Sequence, residues 1–278
     1  MCLIAFAINA SPRWPLVVAS NRDEFLDRPT LPLAKWKTAS GQEIISGRDA
    51  RAGGTWLGVT PTGRVAFLTN VREPKGEPSV SSRGDLVTRW LEGISAAEEF
   101  SAILQRGDAT YSGFNLILGD LQRNAWTWLT NRSTVSDSGW HAQAISPGVH
   151  GLSNASLDTP WPKTTELTRV LSSALLQAEK SDDLHPLLWS ALANRAQSPL
   201  AGTLENGVPQ SMELGMASAF VDMPDHAYGT RSSTVVVVAR HQSQRVRDRY
   251  PIEIHERTYT RASIDEPTAG SLTSIVMI

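Results

Sequence analysis

Apolar residues fall in short runs broken by polar, glycine- and proline-containing stretches, and the period of the runs changes along the chain. Every position from Cys2 to Ile8 is apolar, the pattern of a strand buried on both faces. Residues 16–19 follow the turn-like Asn9-Ala10-Ser11-Pro12, so the two runs predict a hairpin. Further strands are predicted at 55–59, 65–69, 114–118, 125–129, 149–152, 234–239 and 250–254. Pro61-Thr62-Gly63 predicts a second hairpin turn, and Trp126 and Trp128, two residues apart, share one strand face.

The middle of the chain has helical spacing. A short helix over 85–91 stops at Gly93, and Ser95 with Glu98 predicts a capping box ahead of Phe100, Ile103 and Leu104. Leu167, Val170, Leu171, Ala174 and Leu175 form one amphipathic stripe. Leu184, Leu187, Leu188, Ala191 and Leu192 form another, with Pro186 placed in the first turn. Strands, then helices, then strands predict a layered α+β fold. We read residues 1–278 as a single domain, with an irregular loop over a site at 196–227 and a weakly held tail from about 260.

With 41% hydrophobic and 19% charged residues among 278, the chain has the makings of a full core. Lys+Arg 26 against Asp+Glu 28 gives a net charge of -2, which argues against bulk binding to nucleic acid or an anionic membrane. No apolar stretch approaches the roughly 18 residues needed to span a bilayer. No basic segment precedes the first apolar run, which makes it a poor signal peptide. The single cysteine excludes an intramolecular disulfide and a CxxC pair. These features predict a soluble, cytoplasmic protein without integral membrane association; they leave its oligomeric state open.

Familiar catalytic signatures are missing: there is no phosphate loop, GxGxxG, HExxH or GxSxG. His141, His150, His185, His226, His241 and His255 show no metal-ligand spacing, so neither a metal nor a cofactor is expected. Asp222, Asp225 and His226 group as loop residues commonly do.

The chemistry-bearing positions are few. If Met1 is removed, Cys2 carries a thiol and a free α-amine on one residue, with reference pKa values of about 8.5 and about 7.7–8.0. The amine is then able to take the thiol proton. The plainer reading of Cys2 is a small buried hydrophobe. Asn21-Arg22-Asp23-Glu24 follows the second strand and, read as a turn at the hairpin mouth, sets Arg22 and Asp23 near Cys2. There Asp23 would hold an ammonium and Arg22 would favour a thiolate. The alternative is a solvated turn with a weak ion pair. Asn70 and Asn154 each end an apolar strand, as oxyanion-stabilising amides or as ordinary turn residues. Arg231 enters the strongest late strand, as an anion clamp or a flanking charge.

Taken in order, the Met-Cys start, Asn21-Arg22-Asp23-Glu24-Phe25, Gly53-Gly54-Thr55-Trp56-Leu57-Gly58, Leu68-Thr69-Asn70-Val71-Arg72, Ser82-Arg83-Gly84, Phe114-Asn115-Leu116, Gly151-Leu152-Ser153-Asn154, Pro160-Trp161-Pro162-Lys163 and the run from Tyr228 to Thr234 resemble the NRDE family, also called the transport and Golgi organisation 2 family. Its layout is similar to that of N-terminal-nucleophile (Ntn) hydrolases of the bile-salt hydrolase and penicillin V acylase kind. The resemblance implies a four-layer αββα sandwich with Cys2 as nucleophile and base. Arg22 and Asp23 would be its orienting pair, Asn70 and Asn154 oxyanion or substrate amides, and Arg231 a supporting cation. Asn21, Glu24, Trp56, Arg72 and Tyr228 would contact substrate. One departure is that Arg22 and Asp23 are adjacent here, whereas the equivalent pair is separated in those hydrolases, so only one is expected to face the site.

The activity implied is that of an N-terminal-cysteine amidohydrolase or acyltransferase acting on a small amide or thioester. The alternative is a non-catalytic carrier of haem, acyl-CoA or lipid, because eukaryotic members of the family are associated with membrane trafficking and such ligands. Nine tryptophans and an arginine-heavy charge set would suit either a slot for such a ligand or simple packing.

Overall fold

The computed structural model describes residues 2–72, 81–133, 136, 138–197, 214–240, 250–261 and 270–277. They gather into two compact units, one built from segments 1–28, 147–241 and 251–278, the other from 29–146 and 242–250. No helix among the described residues is long and apolar enough to cross a membrane. The described residues form a mixed α and β fold, with two antiparallel sheets and four α-helices described in full.

The first unit holds β1 (Cys2–Ile8), β2 (Leu16–Phe25), β10 (Gly148–Leu152), β11 (Asp222–Met223), β12 (Tyr228–Val238), β13 (Ile252–Thr258) and β14 (Ser271–Met277). Its sheet runs β10-β1-β2-β12-β13-β14, with β11 paired to β12. Helices α3 (Pro162–Gln177) and α4 (Ser181–Leu192) cover one face. Leu3, Ala5, Ala7, Val17, Ala19, Val235 and Val237 point into that face and meet Leu167, Leu171, Leu184 and Leu188. Each buried Leu contributes roughly 1.5–3 kcal/mol. Ile4, Phe6, Ile8, Leu16 and Val18 alternate with them on the opposite face and are equally buried, as the unbroken apolar run of β1 requires. Helix α3 approaches β10 closely because residue 151 is glycine: a Cβ there would run into Thr164 Cγ2 and stand 2.8 Å from Thr168 Cγ2.

The second unit holds β3 (Thr30–Lys37), β4 (Glu43–Asp49), β5 (Leu57–Val59), β6 (Arg64–Asn70), β7 (Phe114–Asp120), β8 (Ala125–Thr130) and β9 (His141–Ala144), hydrogen-bonded in that order. Helices α1 (Arg83–Glu92) and α2 (Ala97–Arg106) bury Leu86, Val87, Trp90, Leu91, Phe100 and Leu104 against it. The glycines of two motifs meet here: a Cβ on Gly54 would lie 2.5 Å from the Gly84 carbonyl carbon at the start of α1. Each unit is thus one sheet under one helical layer.

Several expectations need correcting. Asn21 to Phe25 continue β2 in register with β12, so they form strand rather than turn. The expected capping box at Ser95 is absent; α2 starts at Ala97, and the Ser95 carbonyl accepts a hydrogen bond from Arg64 Nη2. Helix α4 begins at Ser181, which moves Pro186 beyond the first turn. Asp183 caps this helix by accepting from the backbone N–H of Lys180 and Glu179. In place of a weakly held tail, Ser271–Met277 pairs along its whole length with β13. Within the predicted loop 196–227, residues 198–213 lie outside those described, and His241 does as well.

Candidate active site

Strand register places the site. Cys2 stands directly opposite Arg22, and on its other side Ser153, just past the end of β10 and followed by Asn154, hydrogen-bonds the Cys2 carbonyl. Directly opposed residues share a face, so Cys2 and Arg22 look away from the helices. Asp23 falls one step past Arg22, beside the N-terminal end of β1. All three side chains are buried at this end of the sheet: Cys2 is 8% exposed, Arg22 5% and Asp23 2%.

A bulge at Arg231 shapes the far side. Thr230 pairs with Asp23 and Ser232 with Arg22, leaving Arg231 as the extra residue. Thr230 Oγ1 donates to Asp23 Oδ1 at 2.7 Å, and Tyr228 Oη donates to the Asp23 carbonyl at 2.9 Å. Arg231 Nη1 lies 3.0 Å from the carbonyl oxygens of Phe25, Leu26 and Arg28, so this guanidinium holds the chain that leaves β2. Arg231, expected as a supporting cation, has this guanidinium nitrogen on backbone carbonyls.

On the β10 side, Ser153 Oγ lies 3.0 Å from the Cys2 carbonyl oxygen and 3.2 Å from Asn154 Oδ1. Glu24 pairs with Arg22 at 3.6 Å and with Arg28 at 3.8 Å. Asn21 is corrected outright. Strand alternation turns it to the helical side, where Nδ2 donates to the Leu192 and Ala219 carbonyls, each at 2.8 Å. Its Oδ1 accepts from Ser233 Oγ at 2.6 Å, so it clamps α4 rather than meeting a substrate. Asn70, Trp56 and Arg72 belong to the second unit: Asn70 ends β6 opposite Phe114, Trp56 is buried just before β5, and Arg72 follows β6.

Lys163 closes the Pro160-Trp161-Pro162-Lys163 segment but was not marked as a site residue in the sequence. It is 6% exposed; its Nζ donates to the Met216 carbonyl at 2.8 Å, and its charge acts on Asp23. Its placement depends on α3 packing onto the sheet, which no local pattern announces.

The electrostatics are those of a buried site. Burial pushes the Cys2 thiol above its ordinary range, with Asp23 and Glu24 raising it further and Arg22 opposing them. Burial also raises the Asp23 carboxyl, opposed by Lys163 and the Thr230 hydrogen bond. The Tyr228 hydroxyl is raised strongly, first by burial and then by the charge of Asp23.

Away from this end of the sheet, one set of metal-ligating side chains converges among the described residues: His185 from α4 with Glu253 and His255 from β13. Their spacing in the chain conceals this, because a helix and a strand distant in sequence supply them.

Comparison with known proteins matches residues 1–258 to the family model described as Transport and Golgi organisation 2. The Transport and Golgi organization 2 homolog of Mus musculus is 32% identical over 251 residues, covering 86% of this chain and 88% of that one. The Homo sapiens homolog is 33% identical over 254 residues, with the same coverage. Among solved structures, the Caenorhabditis elegans N-acylethanolamine-hydrolyzing acid amidase ortholog overlaps 78% of this chain and 98% of its own, at 12% identity and a TM-score of 0.48.

Proposed function

The chain belongs to the Transport and Golgi organisation 2 family, and we propose that it is an N-terminal-cysteine amidohydrolase or acyltransferase acting on a small amide or thioester. The observation that carries this reading is the place of Cys2. Its thiol is buried at the first residue of a rigid strand, directly opposite Arg22, with Asp23 beside the N-terminal end of that strand.

Removal of Met1 would create a base for the thiol. The Cys2 amine takes the thiol proton, and sulfur attacks the substrate carbonyl carbon. Asn154 donates to the oxyanion that develops, an interaction of about 2.7–4 kcal/mol where such a donor is removed. The ammonium then returns its proton to the leaving nitrogen or sulfur as the acyl–X bond breaks, and a thioester to Cys2 remains. Water, or an acceptor amine, attacks this thioester with the Cys2 amine again as base. The acyl group departs and the thiol regains its proton. Asp23, held by Thr230, orients the amine and balances the ammonium in the intermediate states.

The test compares the processed protein, Cys2→Ala, Cys2→Ser and a form extended at its N-terminus by an uncleaved tag, on a panel of N-acyl amides and acyl thioesters. Only the processed wild type should turn over, because the extended form keeps the thiol but lacks the free amine. Equal turnover by the extended form would show that the amine takes no part, and equal turnover by Cys2→Ala would end the proposal.

A further inference from the structure

The helix-covered side of the same sheet carries a second cluster, remote from the thiol chemistry. Glu253 and His255 lie two apart on β13 and so share a face. They pair with Val237 and Val235, which point into the helical core, so both side chains lie on the helical side. Cys2 and Arg22 lie on the other side. His185, in the second turn of α4, reaches down to the pair: its ring centroid is 4.4 Å from that of His255. Glu253 Oε2 is 3.9 Å from His185 Nε2 and 4.0 Å from His255 Nε2.

These distances are too long for hydrogen bonds. Both ring nitrogens of His185 and Nε2 of His255 are buried with no hydrogen-bond partner among the described residues. Buried polar atoms in folded proteins nearly always have one, so two orphaned Nε2 atoms facing one carboxylate oxygen indicate something between them. The surrounding groups are arranged as outer supports. Ser274 Oγ lies 2.7 Å from His255 Nδ1, which leaves Nε2 facing the cluster, and Ser181 Oγ donates to Glu253 Oε1 at 3.0 Å, which leaves Oε2 facing it. Metal-bound histidines and carboxylates carry such second partners. Asp182, one turn before His185, adds negative charge near both imidazoles.

We propose that His185, Glu253 and His255 form a binding site for a divalent cation of the Zn2+ class, with three protein ligands and an open position. Two imidazoles and one carboxylate are a donor set that borderline metals take. The ligand atoms lie within 4.8 Å of one another. A tetrahedral ion with bonds of about 2.0–2.1 Å needs ligand atoms about 3.3 Å apart, so small side-chain rotations close the site. Bound there, the ion ties the start of α4 to β13.

The test uses the full chain, stripped with a chelator and titrated with Zn2+ by calorimetry and with Co2+ by visible absorption. One equivalent of Zn2+ should bind and raise the melting temperature, and the Co2+ spectrum should show d–d bands without a thiolate charge-transfer band. Cys2→Ala should bind as wild type does. His255→Gln, checked for folding by circular dichroism, should lose saturable binding, and Ser274→Ala should weaken it roughly 10-fold. Should His255→Gln fail to fold, the Ser274→Ala affinity reads the same site. Absence of saturable Zn2+ binding in the micromolar range, a thiolate band, or wild-type affinity in both variants would overturn the site.

Discussion

The two faces of the first sheet carry different kinds of chemistry, and Asn21 and Arg22 show where they divide. These neighbours on β2 are both buried. Asn21 points to the helices and spends its amide on the Leu192 and Ala219 carbonyls, whereas Arg22 points the other way, opposite Cys2. One residue holds the fold and the next belongs to the reacting end. A cluster of polar residues in sequence is therefore two half-clusters in space whenever it lies on a strand, because alternation assigns its members to opposite sides.

The largest effect that would sharpen this division is at the sulfur itself. Cys2→Ala is expected to lower turnover by about 10⁴-fold or more while leaving thermal unfolding nearly unchanged. Asn154→Ala should cost about 10²–10³-fold in kcat with little change in KM, since an oxyanion donor acts in the transition state. Asn21→Ala should do the reverse. It strands the Leu192 and Ala219 carbonyls and the Ser233 hydroxyl, so chemical denaturation should show a loss of about 3 kcal/mol while the folded fraction keeps its chemistry. An Asn21→Ala protein with wild-type stability and lost turnover would break the comparison. Gly151→Ala, which forces α3 off β10, should cost about 1–3 kcal/mol by the same assay.

The smallest effect is a pH dependence at Asp23. An acid whose pKa is raised by burial holds its proton more tightly folded than unfolded. Its stabilising share is complete below the unfolded value of about 3.9 and is lost as pH rises through the folded value. Asp23→Asn removes that loss. The melting temperature of the variant relative to wild type should therefore be more favourable at pH 7 than at pH 4. A difference that is flat with pH would show that the carboxyl is not perturbed.

Legibility follows the same physics. Strand β1 could be read to its ends because both faces are buried and every residue is apolar. Strand β3 left no signal, since Leu33 is its one buried side chain between exposed or half-buried neighbours. Cys2, Arg22 and Asp23 were found together because adjacent antiparallel strands joined by a short turn keep nearby sequence nearby. Lys163, Thr230 and Ser153 reach the same end through packing of α3, a bulge in β12 and the pairing of β10, and local pattern encodes none of these. The His185, Glu253 and His255 cluster was hidden for the same reason: it exists only once α4 lies across β13.

The account turns on whether Cys2 works as the first residue of the mature chain. Intact-mass analysis of native protein, before and after exposure to an electrophilic acyl probe and followed by peptide mapping, reads this directly. The prediction is a chain lacking Met1 that gains a single acyl group on Cys2. Quantitative retention of Met1, or a Cys2 that stays unmodified while the probe labels other residues, would contradict it.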